Sequence, residues 1–320
     1  MISILIPVYN VKNFVGRCLE SVAAQTYQGP MECIIVDDCG NDGSIEIAKK
    51  FISEYKGRVV FRILHHAYNR GLAAARNTAV EAAVGEFIMH VDSDDWLEPT
   101  AVEHLLLKQQ EMNADIVSGN ALRHGEHSNS VLKEREYKTP MDMVYKMMEI
   151  TYDHVIWRRM IRRSLYIDHG IRAVEGINVG EDHHTMPRLA YYAKKIAFVD
   201  EIVYHYNCLN PNSYMTTCSS GFNLKRFRSN LASIEIIRAF FLDKDEYCVA
   251  KIEEIKKDYL NSCMWNAAVL NDITAYNEIK TAADGAVHGF WYWKMAMLIN
   301  KKNILKQIVK KVWYRIKYES

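Results

Sequence analysis

The sequence predicts an α/β fold, a doubly wound and mostly parallel sheet followed by a helical C-terminal extension. Three observations predict it. Short apolar, β-rich runs alternate with helical patterns through roughly the first 120 residues. Two of those runs end abruptly in carboxylates, which sets charge at the edge of a sheet where open α/β folds bind ligands. Residues 222 to 298 carry aromatic and aliphatic side chains at three-to-four spacing, a helical pattern throughout.

In order, Ile2 to Ile6 is a buried first strand stopped by Pro7. Asn13 to Gln25 places Phe14, Val15, Cys18, Leu19 and Val22 at helical spacing. Glu32 to Val36 is a second strand ending in Asp37 and Asp38. The turn from Gly40 to Gly43 then leads to a helix with Ser44 as N-cap. Val59 to Leu64 is a third strand, Gly71 to Ala83 an alanine-rich helix and Glu86 to Val91 a fourth strand. A helix near Ala101 to Glu111 and a strand near Asp115 to Gly119 complete the rhythm. After it the alternation fails. His124 to Lys138 reads as a surface loop or hairpin, Thr139 to Glu149 and Glu181 to Lys194 as helices, and Ile196 to Tyr206 as a strand. The expected organisation is 1–120 as a nucleotide-type α/β half, 121–220 as a second half completing the domain, and 221–320 as a helical region.

Composition narrows the class. The 320 residues carry a formal net charge of +1, which argues against a nucleic-acid binder. Residues 301–320 hold seven Lys or Arg against Glu319, so a local +6 leaves −5 for the remaining chain. No run of 18 apolar residues offers a membrane span. The N-terminus lacks the basic region and apolar length of a signal peptide. The seven scattered cysteines, free of CxxC spacing, read as reduced thiols of a cytoplasmic protein.

The chemistry concentrates in Gly85 to Pro99, where Phe87, Ile88, Met89 and Val91 give way to Asp92, Ser93, Asp94 and Asp95. Hard oxygen ligands at this spacing suit Mg²⁺ or Mn²⁺ and, through them, phosphate. Taken alone, the same residues would also serve as a turn or helix N-cap. A dinucleotide-binding fold needs glycines directly after the first strand, because backbone must approach pyrophosphate there. Here that turn is Pro7-Val8-Tyr9-Asn10, and no P-loop occurs. A metal held by Asp92 and Asp94 is the remaining device for phosphate.

Four stretches, SILIPVYNVKNFVGRCLESVAAQTY, IIVDDCGNDGS, NRGLAAARN and FIMHVDSDDWLEP, occur in this order over about 100 residues. Together they resemble a family 2 glycosyltransferase of the GT-A fold. The resemblance implies a UDP-sugar donor, Mn²⁺ or Mg²⁺, and inversion at the anomeric carbon. It implies that Pro7, Val8 and Tyr9 line the nucleoside pocket and that Asp37 and Asp38 include the acceptor for the base's imide N–H. It implies Asp92 and Asp94, with Ser93 between them, as the Asp-x-Asp pair facing ribose and metal-diphosphate. Asn69, Arg70 and Arg76 fall in the stretch that borders the donor, although Arg76 would equally suit a plain ion pair on its helix.

An inverting transfer needs a base on the acceptor side. Glu181 and Asp182 follow Gly180 at a helix start and resemble the family's Glu-Asp motif, in which the aspartate is the base. Without that context the pair would read as ordinary helix N-terminal acids. Where an aromatic is common three residues on, this chain has His183, His184 and Thr185. Trp157-Arg158-Arg159 resembles a Trp-Asn-Lys element, with Arg158 in place of asparagine. On the acceptor side the expectation includes Trp157 against a sugar face, Arg158 near phosphate, and Asp95 and Glu181 nearby. His90 reads as a core or supporting histidine, and Tyr204-His205-Tyr206 as a packed strand.

From Ile304 the apolar residues Ile304, Leu305, Ile308, Val309, Val312, Trp313 and Ile316 share one helical face, with basic residues opposite. Such a helix lies on an anionic membrane surface or packs on the body and exposes its lysines. The expected protein is therefore a cytoplasmic glycosyltransferase, peripheral to the inner face of the cell membrane, acting on a glycan or lipid-linked oligosaccharide. A nucleotidyltransferase or a non-catalytic sugar-nucleotide-binding protein on the same fold are the rival readings.

Overall fold

A computed structural model describes residues 1–149, 154–211, 213, 223–270 and 272–283. The amphipathic pattern of residues 301–320 lies outside the described residues, as does the end of the helical pattern beyond residue 283.

The first half is built from β1 (Ile2–Val8), α1 (Val15–Ala23), β2 (Met31–Asp37), α2 (Ser44–Glu54), β3 (Val60–His65), α3 (Leu72–Ala82) and β4 (Phe87–His90). Then follow β5 (Trp96–Leu97), α4 (Ala101–Met112), β6 (Ile116–His124), β7 (Asn129–Leu132), α5 (Pro140–Glu149), β8 (Arg159–Arg162) and α6 (Ser164–Ile167). The remainder comprises α7 (Glu181–Tyr192), β9 (Ile196–Asn207), α8 (Leu224–Phe241), α9 (Glu246–Leu270) and α10 (Ile273–Ala283).

The strands form one nine-stranded sheet ordered β3-β2-β1-β4-β8-β6-β9-β5, with β7 pairing on β6. Strands β1 to β4 run parallel, whereas β8 runs antiparallel to both β4 and β6. The residues read as two halves, 1–120 and 121–220, therefore contribute strands to one sheet. The polar stretch after His124 is a hairpin on β6, as its turn-rich composition allowed.

The apolar runs are continuous because both faces of the sheet are covered. Ile2, Ile4, Ile6 and Val8 pack with α1, α2 and α4, and the alternate Leu5 packs with α3, α5 and α7. Helix α3 lies close on the sheet because Ala73, Ala74, Ala75 and Ala79 are buried, and this close approach also buries Arg76. Strand β1 continues through Pro7, which pairs with Val36, rather than stopping at it. Leu5 accepts from Val91 on the β4 side. Pro7, two residues on, turns its nitrogen to that same side, beyond the last residue of β4, where no ladder donor is required.

The C-terminal helices join the same body. Ile237 and Phe241 of α8, with Cys248 and Ile252 of α9, complete the second face. Phe227, Leu260, Met264, Ala275 and Ile279 form a smaller core of their own.

Candidate functional site

The carboxyl ends of β1, β2 and β4 meet at one edge of the sheet, and the predicted residues gather there. Val8 is buried, while Tyr9 beyond it is 48% exposed. Asp37 takes the Cys39 N–H at 3.0 Å and sits 2.9 Å from His65 Nδ1. Asp38 is the hub of the next loop. Its Oδ1 faces His66 Nδ1 (2.6 Å) and accepts from Arg70 N (2.8 Å), while its Oδ2 accepts from Asn69 Nδ2 (3.0 Å) and Gly71 N (2.7 Å). One buried carboxylate thereby shapes the turn that starts α3. Gly71 has φ +89°, and a side chain there would come within 2.3 Å of Asn178.

Asp92, Ser93, Asp94 and Asp95 form the turn after β4. Tyr204 Oη holds both ends of it, accepting from Asp92 N (3.0 Å) and donating to Asp95 Oδ2 (2.8 Å). Asp95 is buried, its other oxygen taking Asn207 N at 2.7 Å, so it supports the turn from beneath. Asp94 Oδ2 accepts from Asn210 Nδ2 at 2.8 Å. Burial and the neighbouring Asp92 charge raise the Asp94 carboxyl above the usual range.

Arg76 joins this turn to the start of α7. Its Nη2 donates to Asp92 Oδ1 (2.8 Å) and its Nε to Glu181 Oε1 (3.2 Å), with the side chain 6% exposed. Burial works against its charge, but Asp92, Glu181 and Asp182 outweigh burial and hold the guanidinium protonated. Burial and the Asp182 charge push Glu181 up to about 7, against the pull of Arg76. Burial pushes Asp182 up to about 6, with Arg76 opposing and Asp92 adding. The Asp182 carboxylate takes backbone N–H groups at the start of α7, its own and that of His183, and His183 Nε2 stands 3.8 Å away. A carboxylate whose pKa is raised by burial and whose hydrogen bonds come from backbone at its own helix start is equipped to accept a proton. Asn69, Arg70, Arg76, Asp92, Ser93, Asp94, Glu181 and Asp182 are thus brought to one end of the fold.

Trp157 and Arg158 are not at that surface. Trp157 is 7% exposed and stacks on Tyr204 (4.5 Å) and Tyr206 (5.5 Å). Arg158 Nε lies 2.8 Å from Glu134 Oε2, and Arg159 Nη2 lies 3.2 Å from the same oxygen. His90 is fully buried against Tyr166 Oη at 3.0 Å. Sequence reasoning missed Asn178, Asn207 and Asn210, which carry no local signal, and did not foresee the bridging role of the Tyr204 hydroxyl.

Comparison with known proteins identifies the family and the fold. The family model described as Glycosyl transferase family 2 matches residues 3–170. The chain is 30% identical over 264 residues to EpsH of Bacillus subtilis (strain 168), spanning 80% of this chain and 72% of that protein. Two solved structures share the GT-A architecture. S. aureus TarS 1-349, in complex with UDP, has a TM-score of 0.63 at 20% identity, over 84% of this chain and 74% of that one. The mannosyltransferase PcManGT from Pyrobaculum calidifontis, in complex with GDP-Man and Mn²⁺, has a TM-score of 0.52 at 16% identity, over 95% and 86%. The chain belongs to glycosyl transferase family 2 and has the GT-A fold.

Proposed function

We propose that this glycosyltransferase transfers a sugar from a UDP-sugar, with inversion, to a hydroxyl of a glycan or lipid-linked oligosaccharide during surface-polysaccharide assembly. The observation that carries the reading is the buried Arg76 bridge, which fixes the Asp-x-Asp turn and the Glu-Asp pair in one frame. In this reading Pro7, Val8 and Tyr9 line the nucleoside pocket, Asp37 and Asp38 bound it, and Asn69 and Arg70 border the diphosphate. Asp182 takes the proton of the acceptor hydroxyl as its oxygen bonds to the anomeric carbon and the bond from that carbon to the diphosphate breaks. Glu181 holds Arg76, and Asp95, Trp157 and Arg158 act by support from within.

The donor set fits a divalent cation. Among the described residues no group of three His, Cys, Asp or Glu is gathered for a metal. Mg²⁺ and Mn²⁺ at phosphate sites need only one or two carboxylates, the rest coming from phosphate and water. Asp92 and Asp94 each take one side-chain donor, on a single oxygen, and the repulsion between the two is what a cation relieves. Mn²⁺ or Mg²⁺ held there would neutralise the leaving diphosphate.

The test is a panel of UDP- and GDP-sugars assayed for nucleotide release with acceptor extract and Mn²⁺, Mg²⁺ or chelator. Release from a UDP-sugar that chelator abolishes is expected. No release from any sugar nucleotide, with pyrophosphate produced from UTP instead, would move the reading to nucleotidyl transfer. The basic tail is part of the proposal as a contact with an anionic membrane surface. The full chain should co-sediment with anionic liposomes and lose that binding when residues 301–320 are removed; unchanged binding would overturn it.

A further inference from the structure

The segment 174–180 leads directly into Glu181 and Asp182, and both of its ends meet one imidazole. Val174 N donates to His184 Nε2 at 3.0 Å. The Nδ1 of the same ring lies 3.0 Å from Ser233 Oγ, and Ser233 Oγ donates to Gly180 O at 3.0 Å. The partners fix every proton. Because Nε2 accepts from a backbone N–H, the ring's own proton is on Nδ1; because Ser233 gives its proton to a carbonyl, its oxygen accepts from Nδ1. Burial and the Arg188 charge push His184 down to about 3, so the ring stays neutral and the chain keeps one direction. His184 is 0% and Ser233 1% exposed, so water does not compete for these bonds.

The middle of the segment is strapped to the opposite wall. Glu175 pairs with Arg70 at 2.5 Å, and Asn178 Oδ1 accepts from Ala73 N at 3.2 Å. Gly180, at φ +79°, makes the turn that starts α7. The segment is therefore held from the donor side by α3 and from behind by α8, a helix of the C-terminal region.

We propose that His184 and Ser233 are positioning residues that set the catalytic carboxylate of Asp182 by clamping both ends of segment 174–180 onto α8. The inference rests on the reading of Asp182 as base. It gives the helical region a part in the reaction, since the hydroxyl that closes the chain lies outside the sheet domain. Neither residue touches the donor-side carboxylates Asp92 and Asp94, which keep their own anchors in Arg76 and Asn210, so their effect falls on turnover and not on nucleotide binding.

The test uses the full chain, with UDP and Mn²⁺ as the binding probe and turnover of the sugar nucleotide that the donor panel selects. Ser233→Ala and His184→Gln are each expected to lower kcat roughly 10- to 100-fold, the range a displaced catalytic group produces. Donor KM and UDP affinity should stay within about twofold. The double variant should be no worse than the poorer single one, because either change breaks the same chain. Unchanged kcat, losses that multiply in the double variant, or a KM that rises as kcat falls would overturn the proposal. Should His184→Gln fail to fold, the kcat-against-KM split of Ser233→Ala decides alone. Asp182→Asn in parallel separates the two levels. If it retains turnover, the base reading fails; if it loses turnover while Ser233→Ala is silent, only the clamp fails.

Discussion

Asp182→Asn is expected to lower kcat by about 10²–10⁴-fold, the contribution of a positioned general base, while UDP binding in Mn²⁺ is unchanged. The amide fills the same space but cannot take a proton. The pH dependence follows from the same carboxyl. In the folded protein it titrates at about 6, above its ordinary 3.8, chiefly because burial disfavours the charged form. Turnover of the native protein should therefore fall as pH drops through about 6, and the variant's residual turnover should lack that limb. Stability moves in the opposite sense. A carboxyl whose folded pKa is raised contributes stability below its unfolded value and loses it progressively until pH exceeds the folded value. Between about 4 and 6 the native protein is thus increasingly burdened by the charge. Asp182→Asn should be more stable than the native chain above pH 6, by roughly 1–3 kcal/mol, with the gain vanishing near pH 4. Chemical denaturation at pH 4 and pH 7.5, beside initial-rate profiles, measures both effects. A variant that is inactive but no more stable at pH 7.5 would mean that Asp182 is better solvated than its surroundings indicate.

What the sequence made legible was whatever is encoded locally. The apolar runs that end in Asp37, Asp38 and Asp92 identify themselves as strands with charged edges, because a strand covered on both faces must be apolar throughout. The order of four motifs then singles out Asp92 and Asp94, and a separate resemblance to a Glu-Asp motif singles out Glu181 and Asp182. Long-range pairing was not legible. Arg76 stood open between a donor contact and an ordinary ion pair, since its partners lie 16 and 105 positions away. Trp157 and Arg158 looked like acceptor contacts, because an exposed Trp-Arg pair suits a sugar and a phosphate. The structure covers them because Glu134, in a stretch that reads as a surface loop or hairpin, provides the buried counter-charge for Arg158 and Arg159. Asp38 illustrates a related gap. The sequence marks it as an acid at a strand end, but not that four donors from residues 66 to 71 take up both its oxygens.

Arg76→Met should be the most damaging single change to the site, because it removes one cation from two carboxylates at once. Breaking a buried ion pair by deleting one partner costs about 3–5 kcal/mol, since the remaining charge stays desolvated without compensation. Both acids sit on segments that the proposed reaction needs, the Asp-x-Asp turn and the start of α7. Weaker UDP–Mn²⁺ binding and lower kcat should therefore accompany the lost stability. Arg76→Lys should rescue only part of it. The guanidinium reaches Asp92 through Nη2 and Glu181 through Nε, two donors set apart on one rigid plane, whereas an ammonium is a single point charge. The deficit should also depend on pH. Glu181 titrates at about 7 with Arg76 pulling it down, so removing the arginine raises its pKa further. At pH 8 the native Glu181 is charged and paired, and the variant either keeps a bare buried charge or binds a proton to avoid one. At pH 5 the carboxyl is protonated in both proteins, and that share of the difference disappears. Denaturation of Arg76→Met at pH 5 and pH 8 should thus show a clearly smaller deficit at pH 5. Equal deficits would mean that the bridge stabilises through Asp92 alone and that Glu181 contributes position without energy.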